Sequence, residues 1–194
     1  MNKRNHDTTP PGHVRIIGGS LRGSRLAVPL VPGLRPTPQR LRQTLFDWLA
    51  PVIAGAEVLD AFAGSGALGI EALSRGARAA TFFERDRAQA AVLESELARL
   101  HLAAASVRCV DALQALAAPA PAGFDVVFLD PPFDAAAWER AAALVAAGGW
   151  LAPNGYAYVE TGTAVAWTPP PGWRVHRQRE AGAVRGSLFR VGPA

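Results

Sequence analysis

Apolar and polar residues follow two repeating patterns along most of the chain, and each pattern predicts a different element. Short runs rich in β-branched and aromatic residues predict buried strands, whereas apolar residues three or four positions apart predict amphipathic helices. Seven strands are predicted in the main body: one beginning at Glu57, then 80–84, 106–110, 125–129, 155–160, 173–180 and 184–191. One predicted helix follows the first strand, and two more span about 87–101 and 138–147. This order predicts an α/β fold with a mostly parallel seven-stranded sheet and an antiparallel edge hairpin.

The N-terminal part of the chain predicts a smaller unit ahead of this sheet. Residues 1–12 are polar and contain prolines, so we expect a disordered tail. Residues 13–17 and 25–28 predict a small β-hairpin around a glycine-rich turn. A helix ending near Leu49 follows, with Thr37 as N-cap and Pro38 at its first position. We therefore divide the chain into a tail, an N-terminal hairpin and helix (13–50), and a main domain (51–194).

Composition narrows the class of protein. With 194 residues and 49% hydrophobic content, the chain is long enough for one main domain with a small addition. We expect a soluble, cytoplasmic protein, because no secretory signal is recognisable and the longest apolar run, about 141–152, is too short to cross a bilayer. A monomer is the default expectation. Cys109 is the single cysteine, so no internal disulfide can form, and we expect a buried structural thiol there.

Charge is distributed unevenly, although the net charge is only +4. Residues 1–50 carry eight basic and two acidic side chains, and residues 172–194 carry five and one. Residues 51–171 carry seven basic and thirteen acidic side chains. A mildly acidic centre with basic ends suggests a ligand site flanked by surfaces for a polyanion.

Arginines of the predicted hairpin are the candidate RNA contacts. Arg15, Arg22 and Arg25 surround its glycine-rich turn, and Arg35 lies ahead of the helix. A solvated hairpin face would explain the first three as well. We favour RNA contact, because basic charge is concentrated in this part of the chain and the glycines leave room for a phosphate backbone.

A glycine turn follows the first strand of the main domain. Gly64, Gly66 and Gly69 satisfy the spacing G-x-G-x-x-G, which lets a nucleotide-like ligand approach the start of a helix. Glu84 ends the next strand, where a carboxylate can bind both ribose hydroxyls. The spacing alone is equally compatible with NAD. Asp60 argues against NAD, since dinucleotide folds usually have an apolar residue there, and no hydride-transfer constellation follows.

The segment Asp130-Pro131-Pro132-Phe133 ends a buried apolar strand and carries the predicted chemistry. Neither proline has an N–H to donate, so the backbone leaves the sheet stiffly, with the carboxylate and the aromatic ring close together. An acid, a free carbonyl and a ring suit a flat base with an exocyclic amino group. A strand that simply stops at the prolines, with Phe133 in the core and Asp130 capping the next helix, explains this stretch equally well.

Two further features were weighed as ligand sites. Asp111-Ala112 follows a predicted strand. The acid could reach an adenine amino group there or could cap a helix, and the sequence favours neither interpretation. The four histidines are scattered along the chain, and we expect no metal site.

Taken together, the motifs resemble those of the RsmD family, and the resemblance spans roughly residues 14–191. The matching segments are 15–19, 34–37, 44–46, 62–69 and 130–133. The resemblance implies a Rossmann-like class I S-adenosylmethionine-dependent methyltransferase that modifies the N2 amino group of a guanine in 16S ribosomal RNA. Its substrate would lie in an assembling or assembled small subunit.

The resemblance also implies roles for individual residues. Asp130, Pro131, Pro132 and Phe133 would hold the flipped guanine. The cofactor would be bound by Asp60, Phe62, Gly64, Ser65, Gly66, Glu84, Asp111 and Ala112. The family usually has Asp where Gln39 stands and often Glu where Gln43 stands, so no catalytic role is transferred to that helix.

Three other functions would fit part of the sequence. An NAD-dependent oxidoreductase rests on the glycine spacing alone and leaves the segment after Asp130 unexplained. A DNA adenine methyltransferase shares the chemistry of that segment but usually carries a separate target-recognition region. A noncatalytic RNA-binding module fits the basic ends, but the glycine turn together with Asp130 argues against it.

Overall fold

A computed structural model describes residues 12–28, 39–131 and 135–192. The N-terminal unit consists of the antiparallel strands β1 (Gly12–Arg15) and β2 (Arg25–Val28), followed by helix α1 (Gln39–Leu49). The other strands are β3 (Glu57–Asp60), β4 (Ala79–Glu84), β5 (Ala105–Cys109), β6 (Phe124–Leu129), β7 (Leu151–Gly162), β8 (Trp173–Ala181) and β9 (Val184–Val191). The other helices are α2 (Ala67–Ser74), α3 (Arg87–Arg99), α4 (Ala112–Leu116) and α5 (Ala135–Ala147). None of the helices in these described ranges is long and apolar enough to span a membrane.

Seven strands form one sheet in the order β5-β4-β3-β6-β7-β9-β8. The first five run parallel, and β9 pairs antiparallel with both β7 and β8. The predicted sheet with its antiparallel edge hairpin is therefore confirmed. The chain changes direction across the sheet between β3 and β6, and ligands of open α/β sheets bind at the carboxyl ends of the strands at such a switch point.

Separate apolar cores cover the two faces of the sheet. On one face, the hairpin, α1, α2 and α3 contribute residues such as Ile16, Phe46, Ile70 and Leu93. On the other face, α4 and α5 pack with Trp150 and its neighbours. The N-terminal hairpin and helix thus share a core with the sheet. We call the face covered by α1, α2 and α3 the α1 face.

The hairpin is joined to α2 by hydrogen bonds that the sequence did not predict. Both carboxylate oxygens of Glu71 accept backbone N–H groups, from Ile17 at 2.7 Å and Gly18 at 2.8 Å. The Ser74 hydroxyl donates to the carbonyl of Gly18 at 2.6 Å and accepts the N–H of Leu21 at 2.9 Å. These contacts fix the glycine-rich turn against the end of α2.

Three local predictions were wrong. The alanine- and proline-rich stretch 115–123 predicts a loop, but its first two residues belong to α4 (112–116), a helix too short to show periodicity. Helix α5 begins at Ala135, earlier than predicted. Cys109 is exposed rather than buried, because β5 lies at the edge of the sheet formed by the described strands.

Candidate active site

Four acidic side chains stand at the carboxyl ends of neighbouring strands. In spatial order these are Glu84 on β4, Asp60 on β3, Asp130 just after β6 and Glu160 on β7. Each follows by two positions a residue that belongs to the core of the α1 face: Phe82, Val58, Phe128 and Tyr158. Because side chains alternate along a strand, the four acids lie on the α1 face too. Glu84, Asp60 and Asp130, three of the residues predicted for cofactor and base, are thus brought to one edge of the sheet.

The glycine turn connects β3 to α2 in the conformation that its spacing predicts. Gly64 and Gly66 have positive φ values of 50° and 71°. A Cβ atom on Gly69 would lie 2.2 Å from the ring of Phe82, so this glycine permits close packing of the helix on the sheet. A Cβ atom on Gly64 would meet nothing within 4 Å, so the backbone there faces open space. Ser65 and Phe62, which flank this glycine, are partly buried.

Glu84 holds the glycine turn through one carboxylate oxygen and the start of α3 through the other. One oxygen accepts the N–H of Gly64 at 2.8 Å, and the other accepts the N–H of Asp86 at 2.8 Å. A carboxylate offers about four acceptor positions, so each oxygen can accept one further hydrogen bond. The carboxylate thus fixes the turn and keeps acceptor capacity for hydroxyl groups.

Asp60 is buried next to other acids. Its carboxylate accepts the N–H of Gly69 at 3.0 Å, which provides the N-terminal cap that Gly66 lacks. Burial raises the pKa of Asp60 to about 7; the hydrogen bond from Gly69 lowers this pKa, and the charges of Asp130 and Glu84 raise it further. This site therefore favours a neighbouring positive charge.

Asp130 and Pro131 follow β6 directly across the switch point from the glycine turn. Asp130 is half-buried and Pro131 is buried. The register pairs Asp60 with Phe128, so Asp130 extends past Asp60 toward the edge of the sheet. Pro132 and Phe133 lie outside the described residues, and their predicted roles stay predictions.

Asp111 caps helix α4, which is one of the two alternatives raised for it. Its carboxylate accepts the N–H of Gln114 at 3.0 Å, and Ala112 begins the helix as a buried residue. The cap uses one oxygen of the carboxylate. A contact from Asp111 to an adenine stays a prediction.

Arg15, Arg22 and Arg25, the hairpin arginines, are exposed. Their guanidinium groups are therefore available to a partner, whereas Arg35 lies outside the described residues. The structure also describes Gln39 and Gln43, the two positions of α1 at which the sequence departs from the family. Gln39 is exposed at the start of the helix, and the Gln43 amide donates to Asp47 at 2.6 Å.

A buried polar network beside Asp130 was missed by sequence reasoning. The Tyr158 hydroxyl donates to Glu160 at 2.8 Å, and both residues are buried. Arg42 on α1 is 2% exposed and donates to the carbonyl of Arg15 at 2.5 Å. Burial lowers the pKa of Arg42, and the charges of Glu71 and Glu160 oppose that effect. The placement of Glu160 two residues after Tyr158 was the available signal, but an isolated acid in a strand is not specific.

Comparison with known proteins places this geometry in a family. The sequence model of the family described as conserved hypothetical protein 95 matches residues 14–190. The chain belongs to this family, the RsmD family. The match includes the hairpin, the glycine turn and Asp130, so the resemblance stated from the motifs is confirmed.

Relatives of this RsmD-family chain are similar over nearly their whole length. Ribosomal RNA small subunit methyltransferase D of Escherichia coli (strain K12) is 46% identical over 191 residues, which cover 98% of this chain and 95% of that protein. A solved structure described as a putative methyltransferase from Escherichia coli has a TM-score of 0.86 at 45% identity, covering 94% of this chain and 100% of that one. A putative SAM-dependent methyltransferase from Streptococcus mutans shares the fold at a TM-score of 0.64 and 15% identity, covering 82% of this chain and 50% of that one. The fold is that of a Rossmann-like class I methyltransferase.

Proposed function

We propose that this RsmD-family protein transfers a methyl group from S-adenosylmethionine to the exocyclic N2 amino group of a guanine in 16S ribosomal RNA. The observation that carries the proposal is the position of Asp130, directly across the switch point from the glycine turn. Asp130 would accept hydrogen bonds from the target base, and the glycine turn would bind the cofactor. Because the two lie on adjacent strands, the two reactants would meet there. The name of the Escherichia coli relative, a small-subunit rRNA methyltransferase, supports the substrate class. The substrate would be the RNA of a maturing small subunit.

The residues at the sheet edge fit S-adenosylmethionine. When bound, this cofactor supplies a methyl group on a cationic sulfonium. Glu84 has acceptor capacity for the ribose hydroxyls, and the open backbone at Gly64 leaves space beside the turn. Asp60 lies in a negative environment that a cationic ligand would stabilise. Asp111 would accept the adenine amino group beside its helix cap.

Asp130 and the Pro131 carbonyl would orient the target amino group. The lone pair of guanine N2 is delocalised into the ring, so this nitrogen is a poor nucleophile until its two hydrogens are held by acceptors. When N2 gains the methyl carbon and the bond from that carbon to the sulfonium sulfur breaks, the product must also lose one N–H proton, and Asp130 would be the base that receives it. Positioning supplies much of the rate enhancement. The base must leave its stack, and Phe133 would offer a replacement stacking surface.

The N-terminal extension, residues 13–50, would face the RNA. Arg15, Arg22 and Arg25 would contact phosphates there, together with Arg35. This assignment rests on exposure and charge, since the turn glycines 18 and 19 serve packing against α2.

Methyl transfer from labelled cofactor to small subunits that lack this modification is the direct test. Naked 16S RNA and DNA run in parallel, and the labelled nucleosides are identified. We expect label in N2-methylguanosine. Label in DNA adenine would contradict the proposed substrate, and the absence of cofactor binding would contradict the proposed enzyme class.

The Asp130→Ala variant tests the role of the acid. We expect turnover to fall by at least a thousandfold, a loss of about 4 kcal/mol of transition-state stabilisation, while cofactor binding persists. Asp125→Ala is the matched control, because Asp125 lies on the same strand and binds the backbone N–H of Glu57 at the opposite end. Equal turnover in the two variants would contradict the assignment.

A further inference from the structure

The outer strand β8 presents a row of arginines on the α1 face. Arg174 pairs with Arg190 of β9, Arg177 with Leu188, and Arg179 with Gly186. Residues directly opposite each other in a ladder share a face. The same β9 residues pair onward with Tyr156, Tyr158 and Glu160 of β7. Because Tyr158 and Glu160 lie on the α1 face, the arginines lie on that face too. We call Arg174, Arg177, Arg179 and Arg190 the β8 arginine row.

A β-bulge creates this alignment. Strict alternation would direct Arg174 and Arg177 to opposite faces of the strand. The register shifts between Val175 and Arg177, so that the extra residue His176 has no partner and Arg177 returns to the face of Arg174. Bulges re-aim side chains in this way and are common near functional sites.

The arrangement is unfavourable for an isolated protein. Arg174 and Arg190 are directly opposite each other, and like charges in that position destabilise a strand pair. Within the described ranges, no member of the row forms an ion pair, whereas Arg185 on the same hairpin pairs with Glu180 at 2.9 Å. A depression of about 350 Å³ lies at this end, lined by Asn154, Arg174, Val175, His176, Arg190 and Gly192, none of which is acidic. Such a surface is complementary to anions.

The row leads toward the candidate active site. From Arg174 to Arg179 it spans about 13 Å, four strand steps of ~3.3 Å each. Arg179 lies in register with Glu160 two strands away, about 10 Å at ~4.8 Å per strand. Helix α1 packs against β8 and β9, and Arg42 on this helix binds the hairpin carbonyl of Arg15. The hairpin and the β8 arginine row thus both adjoin α1.

We propose that the β8 arginine row binds phosphates of the substrate RNA and forms a second RNA-binding surface, separate from the hairpin. The inference rests on the proposed function for the identity of the polyanion. A strand held there would continue past Arg179 toward Asp130.

The test compares two double variants of the full chain with equal loss of charge. Arg174→Gln/Arg179→Gln removes part of the row. Arg78→Gln/Arg140→Gln is the control, because Arg78 pairs with Glu57 at the amino ends of the strands and Arg140 is exposed on α5 at the other face. Binding of unmodified naked 16S RNA is measured as a function of salt. We expect about tenfold weaker binding for the first variant and a salt slope smaller by about 1.4, at ~0.7 per phosphate contact on a single strand.

The outcomes separate this proposal from the proposed function. Equal effects in the two double variants would overturn the β8 arginine row as a specific surface. A loss confined to assembled subunits, with naked RNA bound normally, would assign the row to a protein partner and also overturn the proposal. If the unaltered protein methylated no RNA, the proposed function would fail, while the binding comparison would still decide the role of the row.

Discussion

Glu71 and Asp60 are both buried carboxylates, with exposed fractions of 0% and 2%, but their surroundings differ. Glu71 accepts two backbone N–H groups of the hairpin and pairs with Arg75 at 2.7 Å. Asp60 accepts a single N–H and lies in the field of two other acids. One carboxylate is surrounded by donors and positive charge, and the other by negative charge.

This difference separates a structural acid from one suited to a ligand. A buried carboxylate with full hydrogen bonding and a cation stabilises the contacts around it. A buried carboxylate among like charges costs stability, which a cationic ligand can recover. The comparison therefore assigns the attachment of the hairpin to Glu71 and supports the proposal that a cationic cofactor binds at the edge that contains Asp60.

Glu71→Ala is expected to have the largest effect on stability. The substitution leaves two hairpin N–H groups and the Arg75 guanidinium without their acceptor and removes a negative charge near the buried Arg42. The unfolding free energy should therefore fall by about 5 kcal/mol. Denaturant unfolding measures the loss. Glu96→Ala is the control, because it breaks a more exposed pair with Arg99 and should cost less than about 1 kcal/mol. Similar losses in both variants would show that the hairpin attachment contributes little.

Asp60→Asn should change the pH dependence of stability. The unfolded carboxyl releases its proton near pH 3.8, whereas the folded one keeps it until about pH 7, so this group makes unfolding easier as pH rises between those values. At ~1.4 kcal/mol for each pH unit, its contribution is about 4 kcal/mol. We expect the unaltered protein, but not the variant, to lose this amount between pH 4 and pH 7 in the absence of cofactor.

Cofactor binding gives the second measurement on Asp60. A cationic ligand favours the ionised carboxylate, so affinity for S-adenosylmethionine should increase from pH 6 to pH 8 in the unaltered protein. Calorimetric titration of Asp60→Asn should show a flatter profile. A parallel pH dependence in the two proteins would assign the effect to another group and would remove Asp60 from the comparison.

The sequence predicted the strand, glycine turn and helix around Gly64 well, for a local reason. The glycine spacing encodes a turn between one strand and the next helix, and Gly69 proves necessary for packing on Phe82. Glu84 was predicted from its distance along the chain to bind the ribose, which stays a prediction, and its carboxylate accepts the N–H of Gly64. Because these contacts join consecutive elements, short-range patterns describe them.

Contacts between distant segments could not be predicted in the same way. Glu71 and Ser74 looked like ordinary residues of α2, and only the fold shows that they hold a turn more than fifty positions earlier. Gly19 was interpreted as leaving room for phosphate, yet a Cβ there would lie 1.8 Å from the Ser74 carbonyl oxygen. The arginines of β8 were visible as basic charge, but their common face depends on a bulge.

Glu160 provides an intermediate case, and Tyr158→Phe tests it. Glu160 lies on the same edge as Asp60 and next to Asp130, but it has a hydrogen bond from Tyr158 and the charge of Arg42 nearby. We therefore place it with Glu71 as a structural acid. Removing the hydroxyl should lower the unfolding free energy by about 2 kcal/mol, the usual cost of a lost hydrogen bond to a charged group, and change turnover less than twofold. Tyr156→Phe is the control, since Tyr156 lies on the same strand and packs against His176. A large fall in turnover with unchanged stability would instead group Glu160 with Asp60, because its orientation would then matter to the reacting base rather than to the fold.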